Sequence, residues 1–334
     1  MNSDTAMKKS VDRSKNTKQK SKNNPFNFST DKEFDIVGIG RNSWDKILTI
    51  DHFPKPDEKI NVHTSSNQCG GQVANTLVAS SRLGAKTIYL GKFGDDAYGQ
   101  AVRSSLFKAD VDITSAKIIP GVPNQSAVII VDQKNSTRNV FTLKHPKLDI
   151  QSKDFPTNAF INGKILYLGA RNIEEIKTYA KIGKSKGCIV AVDLDDHHPD
   201  MDDFLSSVSI LFCPKNYVEQ FVPEESIQSK LKLLLERHRL SLVVCSLGAQ
   251  GSIAYDGKQF FQRDAFKIQV ADTTGAGDVF HAGFMVALLR GDSVDECLKF
   301  ANAVAALKCM HLGSQQGTPT MLEVEKFISD LSNF

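Results

Sequence analysis

The stretch Asp272-Thr-Thr-Gly-Ala-Gly-Asp-Val-Phe-His-Ala-Gly-Phe284 decides the fold of this chain. Its first half is polar and rich in glycine, and its second half runs without a break into apolar residues at helical spacing. This pattern predicts a buried helix whose N-terminus is made of small residues. The apolar positions that carry the prediction are Val279, Phe280, Phe284, Val286, Ala287, Leu288 and Leu289.

The N-terminus of such a helix is suited to binding an anion. Its first backbone N–H groups have no partner within the helix, and the helix dipole adds positive charge. We predict that the N–H groups of Gly275, Ala276 and Gly277 form an anion hole. Asp278 lies in the first turn, where we expect the dipole to keep it ionised and able to act as a general base for phosphoryl transfer. The alternative is a tight turn followed by an acid that merely complements the dipole.

A second motif lies in the N-terminal half of the chain. Gly70 and Gly71 precede a helix of small residues that carries Asn75 and ends at Gly84, and Lys92–Gly99 continues the pattern. These motifs together resemble the two signatures of the ribokinase-like sugar kinases, also called the phosphofructokinase-B family. The resemblance implies an α/β fold, a three-layer αβα sandwich with a mostly parallel central sheet and a small β-sheet lid.

The resemblance also implies where the sugar and the catalytic groups lie. It assigns catalysis to Asp278 with Gly275, Ala276 and Gly277, and substrate binding to Asp45, Gly70, Gly71, Asn75 and Arg171. Arg138 and His145 are further candidates for sugar contact, although a surface role is equally consistent. Ribokinases usually have Gly-Gly-Lys-Gly-x-Asn where this chain has Gly-Gly-Gln-Val-Ala-Asn, a difference that weakens the case for ribose.

For the nucleotide, the resemblance implies ATP with Mg²⁺ and a monovalent cation, potassium. Asn216 and Glu219 match an Asn-x-x-Glu motif whose glutamate acts on magnesium through water, and Asp272 and Thr274 match the potassium ligands. The nucleotide-binding positions are Asn216, Ser246, Gly248, Gly251, Asn302 and Gly313.

The chain divides into an N-terminal tail and one kinase domain. Residues 1–33 are predicted to be a disordered basic tail, and residues 34–334 the domain, with lid strands within about 45–66 and 111–143. The segment Lys59–Ser65 is one predicted lid strand. After Lys164, strands and helices alternate, which predicts a parallel sheet covered on both faces. The loop Asp193–Asp200 follows one such strand and is either a metal site or a solvated acidic loop.

Composition indicates an ordinary cytoplasmic protein. The net charge is +3, and the first 24 residues hold seven basic and two acidic residues, so the rest of the chain gives no general case for nucleic acid binding. No apolar run is long enough for a membrane helix or a signal peptide. The six scattered cysteines predict buried, reduced thiols.

The function predicted from these patterns is ATP-dependent phosphorylation of a hydroxyl on a sugar or a sugar derivative. A nucleoside kinase of the adenosine type and a non-catalytic sensor of sugar or nucleotide are the alternatives. The partners expected are the small-molecule acceptor and ATP, with no membrane and no nucleic acid. The lid also suggests a homodimer, by resemblance.

Overall fold

The computed structural model describes residues 24–135, 137–169, 173–196, 201–221 and 225–331. The strands are β1 (Phe34–Ile39), β2 (Ser43–Ile50), β3 (Val62–Gly70), β4 (Thr87–Leu90), β5 (Lys92–Gly94), β6 (Lys117–Ile119), β7 (Ser126–Asp132), β8 (Thr137–Leu143), β9 (Gly163–Gly169), β10 (Ile189–Asp193), β11 (Ile210–Pro214), β12 (Leu242–Ser246), β13 (Ser252–Tyr255) and β14 (Phe260–Arg263). The helices are α1 (Gln72–Arg82), α2 (Ala97–Lys108), α3 (Thr157–Phe160), α4 (Ile173–Ser185), α5 (Met201–Leu205), α6 (Lys215–Phe221), α7 (Ile227–His238), α8 (Ala276–Leu289), α9 (Val294–Cys309) and α10 (Met321–Leu331).

Eight strands form the central sheet, in the order β14-β13-β12-β11-β10-β9-β1-β4. The six strands from β12 to β4 are parallel, and β13 and β14 join one edge in antiparallel fashion. Helices cover both faces, because a parallel sheet is apolar on both sides. The predicted three-layer sandwich is therefore confirmed.

The two faces of the sheet bury separate cores. Along β9, Ile165 and Tyr167 point into one core and Leu166 and Leu168 into the other, as the two-residue period of a strand requires. The first core holds residues of α1, α2, α8 and α9, and the second holds residues of α3 to α7. Helix α8 is apolar nearly all round, which explains why ten of its residues are buried.

A separate four-stranded sheet forms the lid, in the order β3-β2-β7-β8. Strand β3 begins and ends later than the predicted Lys59–Ser65, and it reaches Gly70. The polar run Ser65–Gln68 hid this extension, because six of the first seven residues of β3 are exposed. Strand β6, inside the predicted range 111–143, pairs with β5 in a third small sheet instead of joining the lid.

The segment of residues 24–33 differs from the prediction of a tail through residue 33. Phe26 is 8% exposed and belongs to the first core, and Phe28 packs against it. The amide of Asn24 donates to the carbonyl oxygens of Leu288 and Asp292 at 2.9 and 3.2 Å. The sequence pattern was too short and too polar to reveal two aromatic anchors. Residues 1–23 lie outside the described residues.

Within the described residues, no helix combines the length and the apolar character that crossing a bilayer requires. All six cysteines are free thiols, and every one except Cys69 is buried.

Candidate active site

A cavity of about 370 Å³ lies where the carboxyl ends of the parallel strands meet the lid. Gly169, Asp193, Pro214 and Ser246 line it from the ends of β9, β10, β11 and β12. Open α/β sheets bind ligands at this edge, and the volume suits a small molecule. The lid closes the opposite side with residues of β2, β7 and β8, which are Ser43, Asp45, Ala127, Ile129, Arg138, Val140 and Thr142.

The glycine-rich loop before α8 forms one wall of the cavity. Thr273, Thr274 and the predicted anion-hole residues Gly275, Ala276 and Gly277 all line it. Gly275 has a φ of 76°, and a Cβ there would lie 2.8 Å from the Cβ of Ser314, so the turn needs glycine. One of the three predicted donors is already used within the protein, since the Ala276 N–H donates to the Thr273 carbonyl at 3.1 Å.

Asp278 lies in the first turn of α8, with its carboxylate held from a distant part of the chain. The side-chain amide of Asn75 donates to Asp278 Oδ2 at 2.7 Å, and Gln315 Nε2 donates to Asn75 Oδ1 at 3.0 Å. Both ends of the Asn75 amide are therefore engaged by protein. Asn75, which the sequence predicted as a sugar ligand, lines the cavity and contacts Asp278, and its contact with a sugar stays a prediction.

The environment of Asp278 changes one expectation about its charge. Burial raises the pKa of Asp278 to about 7, and the negative charges of Asp195 and Asp45 add to that effect. The hydrogen bond from Asn75 and the positive charge of Lys308 lower the pKa but do not cancel the effect of burial. The sequence led us to expect that the dipole of α8 keeps this carboxyl ionised. A pKa of about 7 means that it is only partly ionised at neutral pH. A pKa near the working pH is favourable for a general base.

Asp45 faces the cavity from β2 and is packed against Gly70. The hydroxyl of Ser43 donates to Asp45 Oδ1. A Cβ at Gly70 would lie 2.1 Å from Asp45 Oδ2, and Gly71 has a φ of 100° with the Asn42 backbone 2.6 Å from its own Cβ position. Both glycines therefore let the backbone approach closely, and Gly70 leaves room for the carboxylate.

The sequence missed a buried polar group in the cavity, formed around Asp193 and His281. Gln72 donates to Asp193 Oδ2, and His281 Nδ1 lies 3.4 Å from the same oxygen and 3.2 Å from the hydroxyl of Tyr167. Burial raises the pKa of Asp193 well above its usual range and lowers that of His281 to about 3. The other oxygen, Asp193 Oδ1, has no hydrogen-bond partner among the described residues.

Asp193 belongs to the loop that the sequence left open between a metal site and a solvated acidic loop. Asp195 also lines the cavity, and residues 197–200 lie outside the described residues. Across the parts of the chain that the structure describes, no group of three or more His, Cys, Asp and Glu side chains is arranged to hold a metal ion.

One of the two predicted potassium ligands, Asp272, contacts a buried lysine. Asp272 Oδ1 accepts from the Thr274 N–H at 2.8 Å, and Oδ2 accepts from the Gly313 N–H at 2.9 Å. The ammonium of Lys308, whose side chain is 0% exposed, donates to the Asp272 carbonyl at 2.7 Å. The oxygens of Asp272 already have donors within the protein and lie beside a fixed positive charge, so Asp272 does not fit a potassium ion.

The predicted nucleotide-binding residues separate into two sets. Ser246 lines the cavity, and behind it the turn needs Gly248, with a φ of 60°, and Gly251, with a φ of 94°. Asn302 is different, because its side chain is buried and occupied within the protein. Its amide donates to the carbonyls of Arg263 and Asp264 at 3.1 Å, and its oxygen accepts from Ser252 at 3.0 Å. The Asn302 side chain is therefore held by protein groups, and its assignment to the nucleotide pocket stays a prediction.

Several other candidates lie outside the lining of this cavity. Asn216 and Glu219 are exposed on α6, where Glu219 lies 3.5 Å from Lys215. Gly313 has a φ of 91° and contacts Asp272. His145 accepts from the Lys147 N–H and caps a turn, whereas Arg138 reaches the cavity. Arg171 lies outside the described residues.

Comparison with known proteins agrees with this architecture. Residues 35–321 match the model of the pfkB family carbohydrate kinases. Because the match covers most of the chain, the predicted resemblance is confirmed.

Individual relatives agree with the family and differ in acceptor. A nucleoside kinase of Methanothermobacter thermautotrophicus is 26% identical over 87% of this chain and 94% of its own length. A ribokinase of Bacillus subtilis is 28% identical over 88% of this chain and 99% of its own length. The structure of Arabidopsis thaliana ribokinase complexed with ribose and ATP is 25% identical, covers 88% of this chain and 98% of that one, and has a TM-score of 0.77.

Proposed function

The chain belongs to the pfkB family of carbohydrate kinases, and from that premise we propose that it transfers the γ-phosphoryl group of ATP to a hydroxyl of a sugar or a sugar derivative. Its relatives are phosphotransferases with an alcohol acceptor, among them a ribokinase and a nucleoside kinase. The observation that carries the proposal is the position of Asp278, half-buried in the cavity at the N-terminus of α8. Its pKa of about 7 and its bond to Asn75 suit a general base.

In the proposed reaction, Asp278 accepts the proton of the acceptor hydroxyl. The hydroxyl oxygen forms a bond to the γ-phosphorus, and the bond from that phosphorus to the bridging oxygen breaks, which leaves ADP and a phosphate ester. The free N–H groups at the start of α8 face the charge on the transferred group. Gly275 and Gly277 let its oxygens approach the backbone, since no side chain covers them. Few other side chains are required, because phosphoryl transfer depends mainly on positioning and electrostatics.

Magnesium fits the carboxylates present in the cavity. Mg²⁺ usually binds through one or two carboxylates, the substrate phosphates and waters, so a closed cage of protein ligands is not expected. Asp195 lines the cavity and is the carboxylate that we propose for this contact, with Glu219 acting from a greater distance through water. When bound with the nucleotide, Mg²⁺ neutralises part of the phosphate charge.

Acceptor binding is proposed for the lid side of the cavity. Asp45 can accept hydrogen bonds from two neighbouring hydroxyls, and the absence of a side chain at Gly70 makes room for its carboxylate. Arg138 from β8 lies over the same cavity and would contact a polar or anionic substituent of the acceptor. The lid keeps water from the reacting groups, which protects the nucleotide from hydrolysis.

A homodimer through the lid is part of the proposal. Strand β8 is exposed along its whole length, and Phe141 and Leu143, which do not line the cavity, are 52% and 68% exposed. Apolar side chains on an exposed edge strand favour contact with a second copy. Sedimentation of the wild type against Phe141→Glu would test this contact.

The experiment that tests the function measures ADP release with ATP and Mg²⁺ over a panel of sugars, sugar phosphates, keto-acids and nucleosides. Wild type and Asp278→Asn are compared side by side, because the amide keeps the shape of the carboxyl group and cannot accept the proton. We expect one acceptor class to raise turnover in the wild type only. If ligands bind but no acceptor raises turnover above that of the variant, the sensor alternative replaces the kinase.

A nucleoside kinase is the second candidate. It is favoured by the relative from Methanothermobacter thermautotrophicus and by the apolar side chains Ala127, Ile129 and Val140 that the lid places over the cavity. Apolar side chains suit the face of a nucleobase better than a small, fully hydroxylated sugar. Saturation with a nucleoside at lower concentration than with any free sugar would decide for this candidate.

A further inference from the structure

A buried lysine lies behind the glycine-rich loop. Lys308 is near the end of α9, and its side chain is 0% exposed. Lysine is among the residues least often buried completely unless its charge is paired. Its ammonium donates to the carbonyl oxygen of Asp272 at 2.7 Å and lies 3.9 Å from Asp272 Oδ2. The cation is thus fixed at the start of the loop that leads to Asp278.

Asp272, whose oxygens lie beside this ammonium, is one of the two residues assigned to a potassium ion. All three oxygens of Asp272 have a donor within the protein, since the carboxylate accepts from the N–H groups of Thr274 and Gly313. A potassium ion would need those oxygens and would lie beside a like charge in a poorly hydrated place. An ammonium and a potassium ion carry the same charge and both bind carbonyl and carboxylate oxygens, so one can replace the other.

The charge of Lys308 also reaches the catalytic end of the loop. It lowers the pKa of Asp278, and the charges of Asp278 and Asp272 in turn act against the lowering of the Lys308 pKa by burial. The positive charge of Lys308 thus acts close to Asp278, where the phosphoryl group is transferred in the proposed reaction. Its effect on a developing negative charge is favourable.

We propose that the Lys308 ammonium takes the place of an activating monovalent cation, holding the loop from Asp272 to Gly277 in shape and supplying its positive charge. Lys308 is a positioning residue, since it acts through Asp272 and does not line the cavity. Phosphoryl transfer by this protein is then independent of potassium. The inference rests on the proposed kinase function for its effect on turnover, and it rests on the described contacts alone for its effect on cation binding.

The first test uses the wild-type protein with ATP, Mg²⁺ and its acceptor. Turnover is measured in potassium, sodium and choline chloride at constant ionic strength. We expect rates that agree within about twofold in the three salts. The reason is that the Lys308 ammonium supplies the positive charge, so no cation from the solution is needed. A saturable activation by potassium of about tenfold or more would overturn the proposal.

The second test removes the ammonium in two ways. Lys308→Ala opens a space of the right size beside Asp272, whereas Lys308→Met fills that space without a charge. We expect both variants to lose kcat by about tenfold to a hundredfold with little change in KM for ATP, as for loss of an interaction made mainly in the transition state. Potassium or methylammonium should restore kcat in Lys308→Ala in a saturable way and should not restore it in Lys308→Met.

A readout that does not depend on turnover completes the test. The melting temperature of Lys308→Ala should rise with potassium and stay constant with choline, whereas that of the wild type and of Lys308→Met should not respond. Lys326→Ala, which removes an exposed lysine from α10, serves as the control and should behave as the wild type.

If potassium changes neither the melting temperature nor the turnover of Lys308→Ala, Lys308 has only a packing role and the proposal is wrong. If every protein lacks turnover but Lys308→Ala still gains stability from potassium, the kinase function fails and the cation replacement stands.

Discussion

The amide of Asn75 in α1 donates to the Asp278 carboxylate in α8 at 2.7 Å, across 203 positions of sequence. This bond joins the two glycine-led helices that the sequence motifs identified separately. Gln315 holds the other end of the amide, so its orientation is fixed. The carboxylate consequently has one defined position in the cavity, which is what a general base needs.

Asn75→Ala should reduce kcat/KM by about tenfold to a hundredfold, because a hydrogen bond to a charged group contributes about 1.5–3 kcal/mol. The same bond lowers the pKa of Asp278, so its loss should move the acidic limb of the pH profile to higher pH. Gln315→Ala is the matched control, since it loosens Asn75 while leaving the contact with Asp278. It should show a smaller change of the same sign, and equal effects of the two variants would argue against this arrangement.

The wild-type enzyme should lose activity as the pH falls through about 7, the value to which burial raises the pKa of Asp278. The sign follows from the role, because a protonated carboxyl cannot accept the hydroxyl proton and its population grows below the pKa. We expect kcat/KM to fall by roughly tenfold for each pH unit on the acidic side. A profile that stays flat from pH 8 down to the ordinary range of an exposed aspartate would contradict the assignment.

Gly70→Ala should weaken acceptor binding with little effect on ATP. The added Cβ would lie 2.1 Å from Asp45 Oδ2, so the carboxylate must leave its position beside the cavity. We expect KM for the acceptor to rise by about tenfold to a hundredfold, which corresponds to losing a charged hydrogen bond. Ser66→Ala, at an exposed position of the same strand, is the control. An unchanged acceptor KM in Gly70→Ala would remove Asp45 from the proposed acceptor site.

Phe26→Ala should lower the free energy of unfolding by about 3–5 kcal/mol, as expected for truncating a buried phenylalanine. Phe26→Leu should cost much less, and Phe107→Ala, which truncates a side chain that is 72% exposed, should cost almost nothing. Denaturant unfolding of the three variants measures these differences. If Phe26→Ala is as stable as the wild type, residues 24–33 do not contribute to the core.

Much of this structure could be predicted from the sequence because its signals are local. The alternation of strands and helices after Lys164 was predicted, and the order β9, α4, β10, α5, β11, α6, α7 and β12 confirms it. The loop before α8 was also predicted. Its small residues suit a helix N-terminus, and the apolar residues after it have the spacing of a buried helix. The partners of these residues were not predictable, because only the fold brings Asn75 to Asp278 and Gln315 to Asn75.

What the sequence did not reveal depends on burial and on contacts between distant parts of the chain. Lys308 directly follows the apolar run Ala303–Leu307. A single lysine after such a run was a sign that a charge could be buried there, and it was missed. Asn302 was assigned to the nucleotide pocket by resemblance, and the sequence could not show that the fold brings its side chain to Ser252 and to the end of β14. The charge state of Asp278 was inferred from the helix dipole alone, whereas burial decides its pKa.

The most direct test of the central claim is ³¹P NMR of the products formed from ATP and the best acceptor, with wild type and Asp278→Asn under identical conditions. We expect the wild type to give ADP and a new phosphate ester, and the variant to form the ester at least about a hundredfold more slowly, the usual contribution of a general base. Ester formation by Asp278→Asn at the wild-type rate would contradict the account. So would ADP and free phosphate without any ester in the wild type.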